Sequence, residues 1–203
     1  MERRLIPSPR TLDDIDIKRR DLIGQGWGKL ERFTFRHRRF DNQWSEEVTR
    51  DLYTIGEVSM VIPYDPTLDA VLLVEQFRTC GLYWGEATWL FEAVAGIIDP
   101  GETPPEVAMR EAMEEAACAI ALPVLIATVY SSPGGYGERT HMYAGRADLS
   151  AAGGIHGLAH EHEDIRAVAV PLDEALAATT DGRIRDAKTM LMIQWLAINK
   201  SKL

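Results

Sequence analysis

The stretch Gly96-Ile97-Ile98-Asp99-Pro100-Gly101-Glu102-Thr103-Pro104-Pro105-Glu106-Val107-Ala108-Met109-Arg110-Glu111-Ala112-Met113-Glu114-Glu115-Ala116-Ala117-Cys118 decides how this chain is read. It opens as a loop and continues as a helix. Thr103 suits a helix N-cap, Pro104 the first helical position, and Glu106 completes a capping box three residues on. A helix is therefore expected over 104–119. On it Glu111, Glu114 and Glu115 fall at i, i+3 and i+4, so all three project from one face. Like charges at this spacing destabilise a helix by roughly 0.2–0.5 kcal/mol per pair. Such a face is either a solvated acidic surface or one with a compensating cation. Hard divalent ions such as Mg²⁺ take oxygen ligands and leave room for phosphate oxygens. Arg110 sits beside the three glutamates and is placed to pair with Glu102 across the turn. Gly96 and Gly101 bracket a tight turn into the helix, suited to close approach of backbone to a phosphate or ion. That loop shifts the weight towards the cation.

Working outward, residues 30–38 roughly alternate apolar and charged side chains and predict a strand. Residues 57–63 and 69–77 predict two more, with Pro63-Tyr64-Asp65-Pro66 as the turn between them. A short apolar segment covers 89–95, and strands are expected at 124–130, 141–148 and 165–170, with a Ser-Pro-Gly-Gly turn at 132–135. Helical segments at 172–179 and 186–198 close the chain, Leu191, Trp195 and Ile198 keeping helical spacing in the second. Strands outnumber helices, with one helix mid-chain. The expected class is α/β (α+β), a layered α/β/α domain over 51–203 preceded by a small β-rich subdomain over 1–50.

With 203 residues, 46% hydrophobic and 26% charged, the chain has material for a real core, which excludes global disorder. No run approaches about 18 uninterrupted apolar residues, so no membrane helix is expected. The start Met1-Glu2-Arg3-Arg4 lacks the apolar stretch of a secretion signal. Cys80 and Cys118 are too few for a disulfide framework and have no evident base partner, which argues against a thiol nucleophile and for the cytoplasm. The five histidines give no zinc spacing. A net charge of −9 argues against nonspecific nucleic-acid binding. That charge is uneven: residues 1–50 carry +3 and residues 51–203 carry −12. An acidic body that binds an anion needs metal ions to mediate the contact, while a basic arm supplies direct phosphate contacts.

Gly96, Glu102 and Arg110-Glu111-Ala112-Met113-Glu114-Glu115 stand at the spacing of the Nudix box, and the segment resembles that signature of the Nudix hydrolases. The resemblance implies an α/β/α sandwich with a mixed sheet. It also implies cleavage of a nucleoside diphosphate linked to another moiety, with two or three Mg²⁺ (or Mn²⁺) ions per site. Glu111, Glu114, Glu115 and the Ala95 carbonyl would hold the ions, and Arg110 and Glu115 would join the catalytic set. Ala117 stands where the family has glycine, so a local adjustment of the helix end is expected.

The resemblance covers most of the chain and is closest to the ADP-ribose pyrophosphatases. It is carried by Glu75-Gln76-Phe77-Arg78, by Ser132-Pro133-Gly134-Gly135 with Glu138-Arg139, and by 154–158 running into Glu161-His162-Glu163-Asp164-Ile165. It implies that Glu161 deprotonates the attacking water, with Glu163 as metal ligand or reserve base. It places Arg50 and Arg78 on phosphates, a role suited to the planar guanidinium fork. Trp27 would stack on adenine from the partner subunit, with Ile97, Ser132, Gly134 and Glu138 among the substrate contacts. Without the resemblance, Arg50 reads as a surface ion pair and Trp27 as an ordinary core or interface residue. The acids of the 154–165 loop would read as solvated, although such long loops are frequently lids.

Three readings follow. The first is Mg²⁺-dependent hydrolysis of ADP-ribose to AMP and ribose 5-phosphate. The second is hydrolysis of another nucleoside diphosphate sugar such as GDP-mannose, because Ile184-Arg185-Asp186-Ala187-Lys188-Thr189 resembles a stretch of those enzymes. The third is a nucleotide-sensing module without catalysis, which typically loses box glutamates; here all are present. The segregated charge leads to the expectation of a homodimer whose basic N-terminal arm completes the partner's site, with packing of the arm on its own chain as the alternative.

Overall fold

The computed structural model describes residues 10–121 and 123–203; the charged start Met1-Glu2-Arg3-Arg4 lies outside the described residues. The chain divides into two compact units. One takes the chain up to Ile55 together with Ser132–Glu138, the other Gly56–Ser131 together with Arg139–Leu203.

The first unit is an antiparallel meander of β1 (Ile15–Gln25), β2 (Lys29–His37) and β3 (Val48–Thr54). Sequence patterning indicates only the middle strand, because β1 and β3 carry charges on both faces. Those charges pair across strands. Arg20 donates to Glu31 at 3.0 and 2.7 Å, and Arg32 grips Asp51, directly opposite it in register, at 2.7 and 2.8 Å. The β1–β2 turn needs glycine at 28, where a Cβ would stand 2.5 Å from Tyr53 Oη and 2.7 Å from the Thr54 carbonyl. The Ser132–Glu138 segment joins this unit through Tyr53 N–H, which donates to Gly135 O at 3.0 Å. The Tyr53 and Tyr136 rings also stack with centroids 5.9 Å apart.

The second unit is built from β4 (Glu57–Asp65), β5 (Ala70–Phe77), α1 (Cys80–Trp84), β6 (Trp89–Glu92), β7 (Val94–Ile97), α2 (Pro104–Ala116), β8 (Val124–Ser132), β9 (Tyr136–Arg146), β10 (Gly154–His156), β11 (Ile165–Pro171), α3 (Leu172–Asp181) and α4 (Ala187–Asn199). Strand order is β9-β4-β5-β11-β10, with β7 on β4, β6 on β5 and β8 on β9. The β4–β9 ladder is parallel while β4–β5, β5–β11 and β10–β11 are antiparallel, so the sheet is mixed. Ala70, Leu72 and Val74 alternate along β5 with Val71 and Leu73, and all five are buried, so both faces are covered. Helix α2 packs on β4, β7, β10 and β11, while α3 and α4 pack on β5, β11 and β4. Val61, Val74, Val94 and Ile165 of the sheet form one core cluster with Ala108 and Ala112 of α2. This is the expected α/β/α arrangement.

Three expectations need correction. Pro63, Tyr64 and Asp65 continue β4, and the turn falls at 66–69. The Asp65 carboxylate shapes it by accepting the N–H groups of Thr67 and Leu68 at 2.7 and 3.2 Å. The 89–95 segment is two strands, not one. At Ala93 the chain changes partner from β5 to β4, and the Ala93 N–H donates to Thr189 Oγ1 at 2.8 Å. Helix α2 stops at Ala116, three residues early, because Ala117 turns left-handed at φ 47°, ψ 35°. The expected helix at the C-terminus forms as α4, with Met192, Ile193 and Leu196 buried and Leu191 and Ile198 exposed. Among the described residues no helix is long and apolar enough to cross a membrane.

Candidate active site

The site is built where α2 passes β7. The capping box forms as expected: Glu106 Oε2 accepts the Thr103 N–H at 3.0 Å and the Thr103 hydroxyl at 2.5 Å. With the first turn fixed, the 3.6-residue period carries Glu111 and Glu115 inward beside Ala108 and Ala112, and leaves Glu114 half-buried. Gly96 does not act in a turn, as the sequence suggests, but within β7. A Cβ there would overlap the Glu111 carboxylate. One residue earlier, Ala95 N–H donates to Glu115 Oε2 at 3.2 Å.

Arg110 ties the loop to the helix. Its Nε and Nη2 donate to the two oxygens of Glu102 at 3.0 and 3.3 Å, and Nη1 donates to Glu111 at 2.9 Å and Glu114 at 2.7 Å. Against the cost of its burial, Glu102, Glu111 and Glu114 hold its guanidinium well above the ordinary arginine range. The inner glutamates move the other way. Burial pushes Glu111 up to about 7, Arg110 opposing and Glu114 and Glu163 adding to it. Burial pushes Glu115 up to about 8, the Ala95 N–H opposing and Glu111 and Glu163 adding.

The lid between β10 and β11 supplies Glu163. Its Oε2 accepts the Leu158 N–H at 3.0 Å, and its main chain returns to Leu158 O at 3.3 Å. Gly157 permits this tight return: its φ is +103°, and a Cβ would stand 2.7 Å from the Glu163 Cβ. The Gly157 N–H also reaches Glu114 O of α2 at 3.4 Å. Glu161 lies in a short turn at Ala159–Glu161, exposed, with His160 Nε2 3.5 Å from its carboxylate. Of the two lid acids, Glu163 is the one whose charge bears on both Glu111 and Glu115.

Arg78, just past β5, donates from Nε and Nη2 to Glu92 Oε2 at 2.9 and 2.6 Å. Glu92 escapes a sequence reading. Its one signal is a lone acid in the otherwise apolar run Trp89-Leu90-Phe91-Glu92-Ala93-Val94. Ile97 ends β7 partly exposed. The remaining expected contacts belong to the first unit. Trp27 stands on the β1–β2 turn, 77% exposed. Arg50 is exposed and donates to the Thr49 carbonyl at 2.8 Å. Ser132 and Gly134 are exposed, while Glu138 is buried and accepts the Tyr136 hydroxyl at 2.8 Å.

Among the described residues no three His, Cys, Asp or Glu side chains converge tightly enough to cage an ion unaided. The donor set nevertheless suits a hard divalent cation. Glu111, Glu114, Glu115 and Glu163 offer carboxylate oxygens, and burial disfavours the charged form of Glu111 and Glu115, a cost that a bound cation would offset.

The NUDIX domain family model matches residues 55–191, which contain the carboxylate helix, Gly96 and the lid. The chain belongs to the NUDIX domain family. This NUDIX protein is 38% identical over 191 residues to the ADP-ribose pyrophosphatase of Escherichia coli (strain K12), covering 94% of this chain and 91% of that protein. It is 39% identical over 193 residues to the ADP-ribose pyrophosphatase of Haemophilus influenzae, covering 94% and 89%. The GDP-mannose pyrophosphatase of Pectobacterium atrosepticum is 33% identical over 185 residues, covering 89% and 92%. A solved structure described as an ADP compounds hydrolase superposes with a TM-score of 0.68 over 95% of this chain and 98% of that one; at 16% identity the likeness is one of fold.

Proposed function

We propose that this NUDIX protein hydrolyses the pyrophosphate of ADP-ribose to AMP and ribose 5-phosphate in a Mg²⁺-dependent reaction. The observation that carries this reading is its 38–39% identity, over nearly the whole chain, to two ADP-ribose pyrophosphatases. Glu111, Glu114, Glu115, Glu163 and the Ala95 carbonyl would hold two or three ions, Mg²⁺ or Mn²⁺. When bound, these supply positive charge that offsets the charge of the diphosphate and of its transition state. Arg110 keeps Glu111 and Glu114 oriented through its paired hydrogen bonds. Glu161, reached by movement of the lid, takes a proton from water. The water oxygen bonds to one phosphorus in line as the bond from that phosphorus to the bridging oxygen breaks. Arg50 and Arg78 hold phosphate oxygens, Trp27 stacks on adenine, and Ile97, Ser132, Gly134 and Glu138 complete the substrate contacts.

The GDP-mannose reading is less favoured, since those relatives are 33% identical against 38–39% for the ADP-ribose pyrophosphatases. Residues 184–189 serve the fold, where Asp186 Oδ2 caps α4 by accepting the Thr189 N–H at 2.8 Å, and Thr189 Oγ1 anchors Ala93. The sensing reading is disfavoured because every box glutamate is in place.

The working form in this proposal is a cytoplasmic homodimer, with residues 1–50 as its dimerisation and substrate-contact subdomain and 51–203 as the catalytic domain. Exposed Ile15, Ile17, Leu22, Ile23 and Trp27 on the first unit support self-association, and free Cys80 and Cys118 suit a reducing compartment. A panel of nucleoside diphosphate sugars with Mg²⁺, followed by product chromatography, tests the substrate. ADP-ribose should exceed GDP-mannose in kcat/KM by about tenfold or more, and the reverse order overturns the reading. Sedimentation should give twice the chain mass. Mixing an Arg50→Ala/Trp27→Ala chain with a Glu111→Gln/Glu161→Gln chain should restore part of the activity. A monomer, or no restoration despite subunit exchange, would leave the arm packing on its own chain.

A further inference from the structure

We infer that Glu92 is a positioning residue that holds the Arg78 guanidinium towards a bound diphosphate. The inference rests on the pyrophosphatase reading for the diphosphate alone, not for the sugar or base attached to it.

The geometry is specific. Glu92 closes β6, stands opposite Val74 of β5 in register, and is only 8% exposed. Its Oε2 takes two donors of Arg78, Nε and Nη2, at 2.9 and 2.6 Å. The Arg78 main chain is fixed as well, its N–H donating to Thr88 O at 2.6 Å. With those groups committed, the Nη1 edge of the fork is left for an oxyanion. The pair is also lopsided: the Arg78 side chain is 39% exposed against 11% for Glu92, so the carboxylate sits inside and the cation faces out.

Stability does not explain the arrangement. Replacing a buried ion pair by packed apolar side chains is often neutral or stabilising, and the neighbours Trp89, Leu90 and Phe91 show that β6 is otherwise apolar. The surroundings suggest a different reason. A buried carboxylate that takes one edge of an outward-facing guanidinium fixes where its other edge points. Gln76, two residues earlier and near the end of β5, has a buried Nε2 with no partner among the described residues, a second polar group at this strand end.

The test uses Glu92→Gln, Arg78→Ala and the double variant of the full chain. Imidodiphosphate, a non-hydrolysable pyrophosphate, is titrated by calorimetry in the presence of Mg²⁺, and Mn²⁺ binding is followed by electron paramagnetic resonance. Each single variant should weaken imidodiphosphate by about tenfold, and the double variant should be no weaker than Arg78→Ala to within about twofold. Mn²⁺ should bind the variants as it binds the wild type, since the change loosens Arg78 and leaves the carboxylates of α2 in place. Wild-type imidodiphosphate affinity in Glu92→Gln, a loss that adds fully to that of Arg78→Ala, or a lowered Tm with unchanged imidodiphosphate binding would each overturn the inference. If Glu92→Gln does not fold, Glu92→Asp, which keeps the charge on a shorter arm, should show the same pattern at smaller size. Turnover of ADP-ribose by the wild type judges the substrate separately, because imidodiphosphate carries neither base nor ribose.

Discussion

Glu111 lies across the main chain of β7 in the space that a side chain at residue 96 would occupy, so Gly96 and Glu111 are a fitted pair. Only a residue without a Cβ lets α2 bring this carboxylate against the strand, next to the Ala95 N–H that meets Glu115. Gly96→Ala should therefore misplace Glu111 while leaving the core clusters intact. A displacement near 1 Å is enough to lower turnover by about 10²-fold. Steady-state kinetics beside circular dichroism checks this, and an active Gly96→Ala protein would show that Glu111 has no strict position.

Glu111→Gln and Glu115→Gln remove charge without volume. Each should lower turnover by at least about 10³-fold while the far-ultraviolet spectrum stays native. Near-normal activity in both would reduce the acidic face to structure.

The pH dependence of the metal-free protein follows from the same pair. Burial raises Glu111 to about 7 and Glu115 to about 8, above the ordinary 4.5, so the folded state binds more protons than the unfolded state between those values. Stability associated with the two groups is thus fully present below pH 4.5 and is lost as pH rises towards 8. In chelator, Glu115→Gln should raise Tm relative to wild type at pH 8 and leave it nearly unchanged at pH 4.5. Equal differences at the two pH values would contradict this origin.

The lid acids should separate by phenotype. Glu161→Gln is expected to lower kcat strongly with KM nearly unchanged, since a base acts in the transition state. Glu163→Gln keeps an amide oxygen for the Leu158 N–H but removes a charge felt by Glu111 and Glu115, so its main effect should be weaker Mn²⁺ binding. A larger fall in kcat for Glu163→Gln, with metal affinity intact, would transfer the base to Glu163.

Ala117 closes α2 in the left-handed region, its N–H reaching Met113 O at 3.0 Å and the Cys118 N–H reaching Ala112 O at 2.9 Å. A residue with a Cβ costs roughly 1–2 kcal/mol there. Ala117→Gly should relieve that strain and stabilise the protein by about 1 kcal/mol, or about 2–4 °C in Tm. A lower Tm would mean that the chain-entropy cost of glycine outweighs the strain.

The sequence alone determined whatever depends on neighbours a few residues apart. Thr103, Pro104 and Glu106 start α2 by local hydrogen bonds, and the helical period then puts Glu111, Glu114 and Glu115 on one side. The apolar runs of β4 and β5 likewise announce strands, and in the fold both faces of each are buried. Tertiary structure decided the rest, because the deciding partner is distant in the chain. Thr189, 96 residues from Ala93, marks where β6 gives way to β7. Arg20, Arg32 and their acidic partners turn charged segments into a β-meander that no apolar alternation reveals. Gly96 acts through Glu111 of another element, Glu92 through Arg78 of the neighbouring strand end, and the carboxylate of Glu163, rather than that of Glu161, takes the Leu158 N–H. Each of these is a contact in space, and its strength comes from burial and charge supplied by the other elements of the unit.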